Sequence, residues 1–441
     1  MRQFRFFLRM WFIFPLLTQA QVIQVRNWNI EGGKGIHFET ELSWQQIKDK
    51  AKNENKYIFV DCFASWCEPC RFMDKNVYSK EIVGSYLDAH FIAVKVQMDT
   101  TKLDKQEIQD WYPDAHNIQQ NYNVTSFPTY LFFSPEGRIV HRGSGAQGAD
   151  DFIMLANNAY NPDRQYYTLL EKYRSGNIGI KSLPYLARTA RSMKEKKLAN
   201  SVARFYFENY LFKLSEEELC SKKNIEFISE FEEVLGSRDK CFDLFYRYGD
   251  RTDSIVNSKG LSQSVADFII TSEEITPILE KAFSDNSDPE WSKMRRGIKD
   301  KYGLNYADRN VLSAKVSFFE HQGNWRKHIA NFVKQVDEYG VGNSLADFYL
   351  NNDAWYIFEH SARRNELNRA LAWSERAIQI SDKPNAGYLD TKANLLYKLG
   401  KRKKAIVIEE VAVKLSPQEL ESAIKENFEK MKKGIPTWPS K

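Results

Sequence analysis

Five cysteines in 441 residues are too few for a chain whose fold depends on a disulfide framework. Beyond the first twenty residues there is no apolar run of the roughly 20 residues that a bilayer-spanning helix needs. Charge of either sign is scarce in excess. The 63 Lys and Arg against 58 Asp and Glu give +5, and setting aside Arg2, Arg5 and Arg9 leaves +2. Such a balance argues against a nucleic-acid partner, and the basic runs 194–197 and 401–404 read as solvated helix ends or turns. The chain has no His-Glu-x-x-His and no second Cys-x-x-Cys, so no zinc ligand set and no bound cofactor is expected.

What is present is Trp66-Cys67-Glu68-Pro69-Cys70, at the end of the apolar run 57–64. That run is rich in β-branched and aromatic residues and reads as a strand buried on both faces. Ser65 and Pro69 mark a sharp exit into a helix, because proline is tolerated in a first turn where its missing N–H is not needed. Cys67 then sits at a helix N-terminus, where unpaired N–H groups and the helix dipole favour a thiolate. Cys70, one turn deeper, can attack a mixed disulfide formed at Cys67. A lone Cys-x-x-Cys is also half of a zinc site, but Cys62, Cys220 and Cys241 have no ligand-like spacing to it.

Two further features favour the redox reading. Asp61 is an acid within an otherwise apolar strand, six residues before Cys67. A buried acid is costly unless it has a task, and one near a dithiol can take or return the proton of the inner thiol. Later, Ser126-Phe127-Pro128-Thr129 leads into the apolar strand 130–133. Proline at a strand start costs no ladder bond, and a tight turn there is where a cis bond is expected.

Together these elements resemble the thioredoxin superfamily, over residues 37–160. The resemblance implies an attacking Cys67, a resolving Cys70, Asp61 as the buried acid and Pro128 as the cis-proline. Trp66, Phe127 and Thr129 beside them are the expected substrate contacts. The stretch 71–99 is more particular, and is similar to the C-terminal domain of the bacterial membrane transporter of reducing equivalents. Residues 99–120 depart from the family, being longer and more polar than its usual connection. They are expected to add a helix or lid near the site.

Residues 1–20 combine Arg2, Arg5 and Arg9 with a short apolar stretch and small residues at Thr18 and Ala20. They read as a secretory signal peptide, with an uncleaved anchor as the alternative, and export to a periplasm follows. Cys62 reads as an inert core residue. Cys220 and Cys241 read equally as a disulfide between helices or as two buried thiols.

The expected fold is an α/β thioredoxin-like domain at 21–160, followed by an all-α, tetratricopeptide-like region. Within the latter, 161–350 reads as degenerate helix hairpins and 351–441 as repeats with a capping helix. Its signature is the pair of helical segments beginning at Ala370 and Ala405, each followed by a proline, Pro384 and Pro417. Two functions of different class remain. One is an exported thiol–disulfide oxidoreductase, leaning towards a reductase because Glu68 opposes the Cys67 thiolate. Its partners would be protein disulfides or dithiols, a membrane redox donor, and proteins recruited by the helical repeats. The other is a client-binding or assembly protein that uses the thioredoxin-like domain as a docking module.

Overall fold

The computed structural model describes residues 35–340 and 346–438, so the expected signal peptide lies outside the described residues. The described residues form two compact units, one ending at Ser215 and the other beginning at Glu216.

The first unit is built on a five-stranded sheet. In chain order it contains β1 (Phe38–Glu39), α1 (Trp44–Glu54), β2 (Tyr57–Phe63), α2 (Glu68–Met73), α3 (Glu81–His90) and β3 (Phe91–Gln97). Then follow α4 (Gln106–Asp110), α5 (Tyr112–Asn121), β4 (Thr129–Phe133), β5 (Ile139–Ser144) and α6 (Ala149–Tyr160). The strand order is β1-β3-β2-β4-β5, with β1, β3 and β2 parallel and β4 antiparallel to both β2 and β5.

The apolar run that makes β2 central has no polar face, so it needs cover on both sides. Ile58, Val60 and Cys62 pack with Ile47 and Ala51 of α1 and Ile118 of α5. Phe59, one residue out of phase, packs with Val83 and Leu87 of α3 and Phe152 of α6. Phe59, Phe132, Phe133 and Phe152 are fully buried, each worth about 2–3 kcal/mol of transfer free energy. By the same two-residue period Asp61 falls on the Phe59 side of the sheet. A capping box fixes the start of α1: the Ser43 hydroxyl accepts from Gln46 N–H, and Gln46 Oε1 accepts from Ser43 N–H at 2.8 Å.

The unit does not stop at Asn161, where the sequence suggests a boundary. Three more helices belong to it, α7 (Tyr166–Arg174), α8 (Leu183–Ser192) and α9 (Lys196–Asn209). The reason lies in β5 and the turn before α7. His141, 1% exposed, accepts the Tyr166 N–H through Nδ1 at 2.9 Å. Gln165 donates to the Ala159 carbonyl at 2.8 Å and to the Tyr57 hydroxyl at 3.3 Å.

The second unit is helical among its described residues. Helix Ala346–His360 packs along Arg364–Ile380, and Ala386–Lys398 along Arg402–Leu415. Ala354, Ala370, Ala377, Ala393, Ala405 and Ala412 are all fully buried, because small side chains let neighbouring helices approach closely. Gly400, at φ +82°, ends one helix where a side chain would be strained. Between these helices lies a polar pocket of the core. Asp390 Oδ1 accepts from Asn394 at 2.9 Å and Asn427 at 3.0 Å, while no other residue donates to either carboxyl oxygen of the fully buried Glu409. Burial, with the Asp390 charge adding to it, pushes the Glu409 carboxyl up to about 11. It therefore holds a proton that it can donate to Asp390.

Cys220 and Cys241 are buried thiols, and no disulfide joins them. No described helix is long and apolar enough to cross a membrane.

Candidate functional site

The chain leaves β2 at Phe63, turns through Ala64–Trp66 and enters α2 with Cys67 as its N-cap. Cys67 N–H donates to the Ala64 carbonyl at 3.0 Å, which closes the turn. Cys67 Sγ accepts from Cys70 N–H at 3.1 Å, so a backbone donor of the first helical turn points at the sulfur. The two cysteines are disulfide-bonded, with Cα atoms 5.3 Å apart. Both are 2% exposed, packed with Ala64 and against Phe63 and Phe127.

The Phe127–Pro128 peptide is cis. Phe127 stands edge-on to Trp66, ring centroids 5.9 Å apart, and Trp66 is 68% exposed. Cys67, Cys70, Trp66, Phe127 and Pro128 thus converge from two separate segments of the chain. Thr129 does not join them as a side chain. It is fully buried and its hydroxyl donates to the Ser126 carbonyl at 2.6 Å, so it shapes the turn and offers no side-chain contact to a substrate.

Asp61 is 1% exposed, and its Oδ1 has no hydrogen-bond partner. Burial pushes its carboxyl up to about 7. Lys95 pulls it down, Asp74 raises it, and the Tyr78 phenol pulls it down a little. Lys95 is Asp61's register neighbour on β3, with Nζ 3.8 Å from Oδ2. The ammonium donates to Asp74 Oδ1 and lies 4.9 Å from the Phe63 ring centroid. An acid poised near neutrality on the strand that leads into the dithiol can store a proton and return it.

Lys95, Asp74 and Tyr78 were not among the residues singled out from sequence. Lys95 interrupts the apolar strand 91–97 as Asp61 interrupts 57–64, and two such interruptions on adjacent buried strands are a signal. Asp74 and Tyr78 depend on the π-helical turn Asp74–Tyr78 that follows α2, which no periodicity announces.

The insertion carries two short helices, α4 and α5, and is tied to the dithiol turn. Asp99 accepts from Ser65 N–H at 2.8 Å and from the Ser65 hydroxyl at 2.6 Å. Trp111 of the same insertion lies 6.5 Å from Trp44, centroid to centroid.

A family profile described as a thioredoxin-like domain matches residues 44–160. Thioredoxin H4 of Arabidopsis thaliana is 31% identical over 122 residues, which cover 27% of this chain and 86% of that protein. This chain belongs to the thioredoxin-like family. A thioredoxin-like protein of Synechocystis is 36% identical over 98 residues, 22% of this chain and 76% of its own length. The thioredoxin-like domain is also similar to the thiol:disulfide interchange protein DsbD of Actinobacillus pleuropneumoniae, at 24% identity over 125 residues. That match covers 28% of this chain and only 20% of DsbD. The domain is thus related to disulfide oxidoreductases, while the helices beyond α6 lie outside the family profile.

Proposed function

We propose that the protein is an exported thiol–disulfide oxidoreductase that reduces protein disulfides, with its helical unit recruiting the clients. The observation that carries this reading is the placement of Cys67. Its sulfur caps a helix start beside the exposed Trp66, with Cys70 one turn behind and a proton-holding Asp61 on the preceding strand.

In the reductive direction the Cys67 thiolate attacks one sulfur of a client disulfide. A Cys67–client disulfide forms and the other client sulfur leaves as a thiolate, which takes up a proton. Cys70 then loses its proton, for which Asp61 is the proposed acceptor, and attacks Cys67 Sγ. The client's second sulfur departs as a thiolate and takes up a proton, for which the newly protonated Asp61 is the proposed source. Two electrons have passed from the enzyme dithiol to the client, and the Cys67–Cys70 disulfide remains. A donor dithiol, membrane-borne in this proposal, then reduces that disulfide by the same exchange: the donor ends as a disulfide and the Cys67/Cys70 dithiol is regenerated. The signal-peptide character of residues 1–20 supports export. Glu68, a negative charge in the first turn beside Cys67, supports the reductive lean.

The test is turnover of a protein disulfide such as insulin with dithiothreitol as donor. Wild-type protein should reduce it catalytically and Cys67→Ser should not. A wild-type protein that binds disulfide proteins but never turns them over would favour the docking-module reading instead.

A further inference from the structure

The loop at 99–105 is held far more firmly than its exposure requires. Asp104 accepts from Thr101 N–H at 2.7 Å, the Thr101 hydroxyl at 2.6 Å, the Tyr112 hydroxyl at 2.6 Å and Gln97 Nε2 at 2.9 Å. Gln97 also donates to the Asp99 carbonyl at 3.1 Å. Those bonds from Thr101 and Tyr112 hold the Asp104 carboxyl well below the usual carboxylate range, so the knot stays charged in mild acid. The other end of the loop is fastened to the dithiol turn through the Asp99–Ser65 bonds.

What this knot presents is Leu103, 93% exposed. Leu103 N–H donates to the Thr101 hydroxyl at 3.2 Å, so its backbone is fixed while its side chain stands in water. So exposed, Leu103 contributes almost nothing to the apolar core and stays open to an apolar side chain from outside. Lys102 and Lys105, both exposed, flank it, and neither forms an ion pair among the described residues. The chemistry supplies the occupant. A disulfide attacked by Cys67 must bring its sulfur into bonding contact, so the residues beside that client cysteine are pressed against the turn carrying Ser65 and Trp66.

We propose that the loop 99–105 selects clients: Leu103 meets an apolar side chain, and Lys102 and Lys105 an acidic one, in the segment that carries the client disulfide. The loop is ordered before the client arrives, so little conformational entropy is lost when it is engaged. This inference rests on the exchange activity proposed above, and the experiment separates the two.

Two cyclic peptide disulfides serve as probes, one with Leu and Glu beside its cysteine and one with Ser and Lys there. The full-length protein should reduce the first with a kcat/KM about tenfold higher, a discrimination normal for one apolar contact and one charge contact. Leu103→Ser should bring the ratio most of the way towards one, and Lys102→Ala with Lys105→Ala should make the remainder insensitive to salt. Reduction of a small aromatic disulfide should stay unchanged in both variants. Linear versions of the peptides, with serine for cysteine, should show the same order of affinity in a direct binding measurement. An unchanged preference in Leu103→Ser, in rate and in binding alike, would overturn the assignment. Ordered binding without turnover would support the loop's role and sink the exchange reading alone.

Discussion

Lys95 stands across from Asp61 in register on neighbouring strands, yet its ammonium donates to Asp74 and stays 3.8 Å from the buried carboxyl. The lysine is thus shared between two acids, and Asp61 is left only partly neutralised. That sharing sets how readily the buried site holds a proton, and it can be altered from either side.

Replacing Lys95 with methionine should push the Asp61 carboxyl further above about 7, since an opposing charge is lost. An upward move of about one pH unit is expected for a cation removed at this distance. The measurement is the pH profile of single-turnover reduction of a small disulfide by the reduced protein. A profile identical to wild type would remove Asp61 from the proton path. Asp74→Asn should move the same profile down.

Asp61 also has a cost in stability. Its folded carboxyl is raised above the unfolded value, so the fold is favoured below about pH 4 and loses that advantage as pH rises through about 7. Asp61→Asn should therefore raise the melting temperature at pH 8 and leave it nearly unchanged at pH 4, while slowing resolution by Cys70. Destabilisation at pH 8 would contradict the burial argument.

Glu409 obeys the same sign over a wider window. Its raised carboxyl favours the fold below about pH 4.5, and that contribution declines as pH climbs towards about 11. Glu409→Gln keeps a neutral donor at the position. Melting curves at pH 5, 7 and 9 should show the variant gaining on wild type as pH rises. A constant offset across the three would mean that Glu409 is ionised in the fold.

Truncation should respect the contact between β5 and α7. Burial lowers the His141 imidazole to about 4, so it is neutral and free to accept the Tyr166 N–H. A fragment ending at Ser215 should fold and retain dithiol exchange, whereas one ending at Tyr160 exposes His141 and should be less stable. His141→Ala should cost about 1–3 kcal/mol in urea unfolding, the penalty for an orphaned buried donor. Because this imidazole is depressed, its contribution holds above about pH 6.5 and fades as pH falls through about 4. Equal stability of the two fragments would show that α7–α9 are an appendage.

Cys70→Ser should trap clients as disulfides to Cys67, since the internal resolving thiol is gone. Mixed disulfides that a reductant releases should appear on non-reducing gels. Their absence in cells expressing the variant would argue against turnover of protein clients.

The order of β2, the dithiol turn and α2 was legible because each is written locally: an unbroken apolar run, then Ser65, then proline in a first turn. The all-helical character beyond Asn161 was legible for the same reason. Lys95 was hidden because its meaning depends on lying opposite Asp61, a pairing between residues 34 apart in the chain. The change of pattern at Asn161 looks like a boundary, but periodicity cannot report that His141 reaches forward to cap α7. Thr129 looked accessible because it borders the turn, and only the direction of its hydroxyl shows that it faces inward.

The π-helical turn after α2 has a consequence for chain length. It carries one residue more per turn than an α-helix would, and within it lie both Asp74, which holds Lys95, and Tyr78, whose hydroxyl bears on Asp61. Deleting one residue between them would restore a regular helix and turn one of these side chains about 100° away from the carboxyl. Elsewhere on a surface helix such a deletion would be absorbed by the next loop. Here it would be read directly as a change in the acidity of a residue more than ten positions upstream.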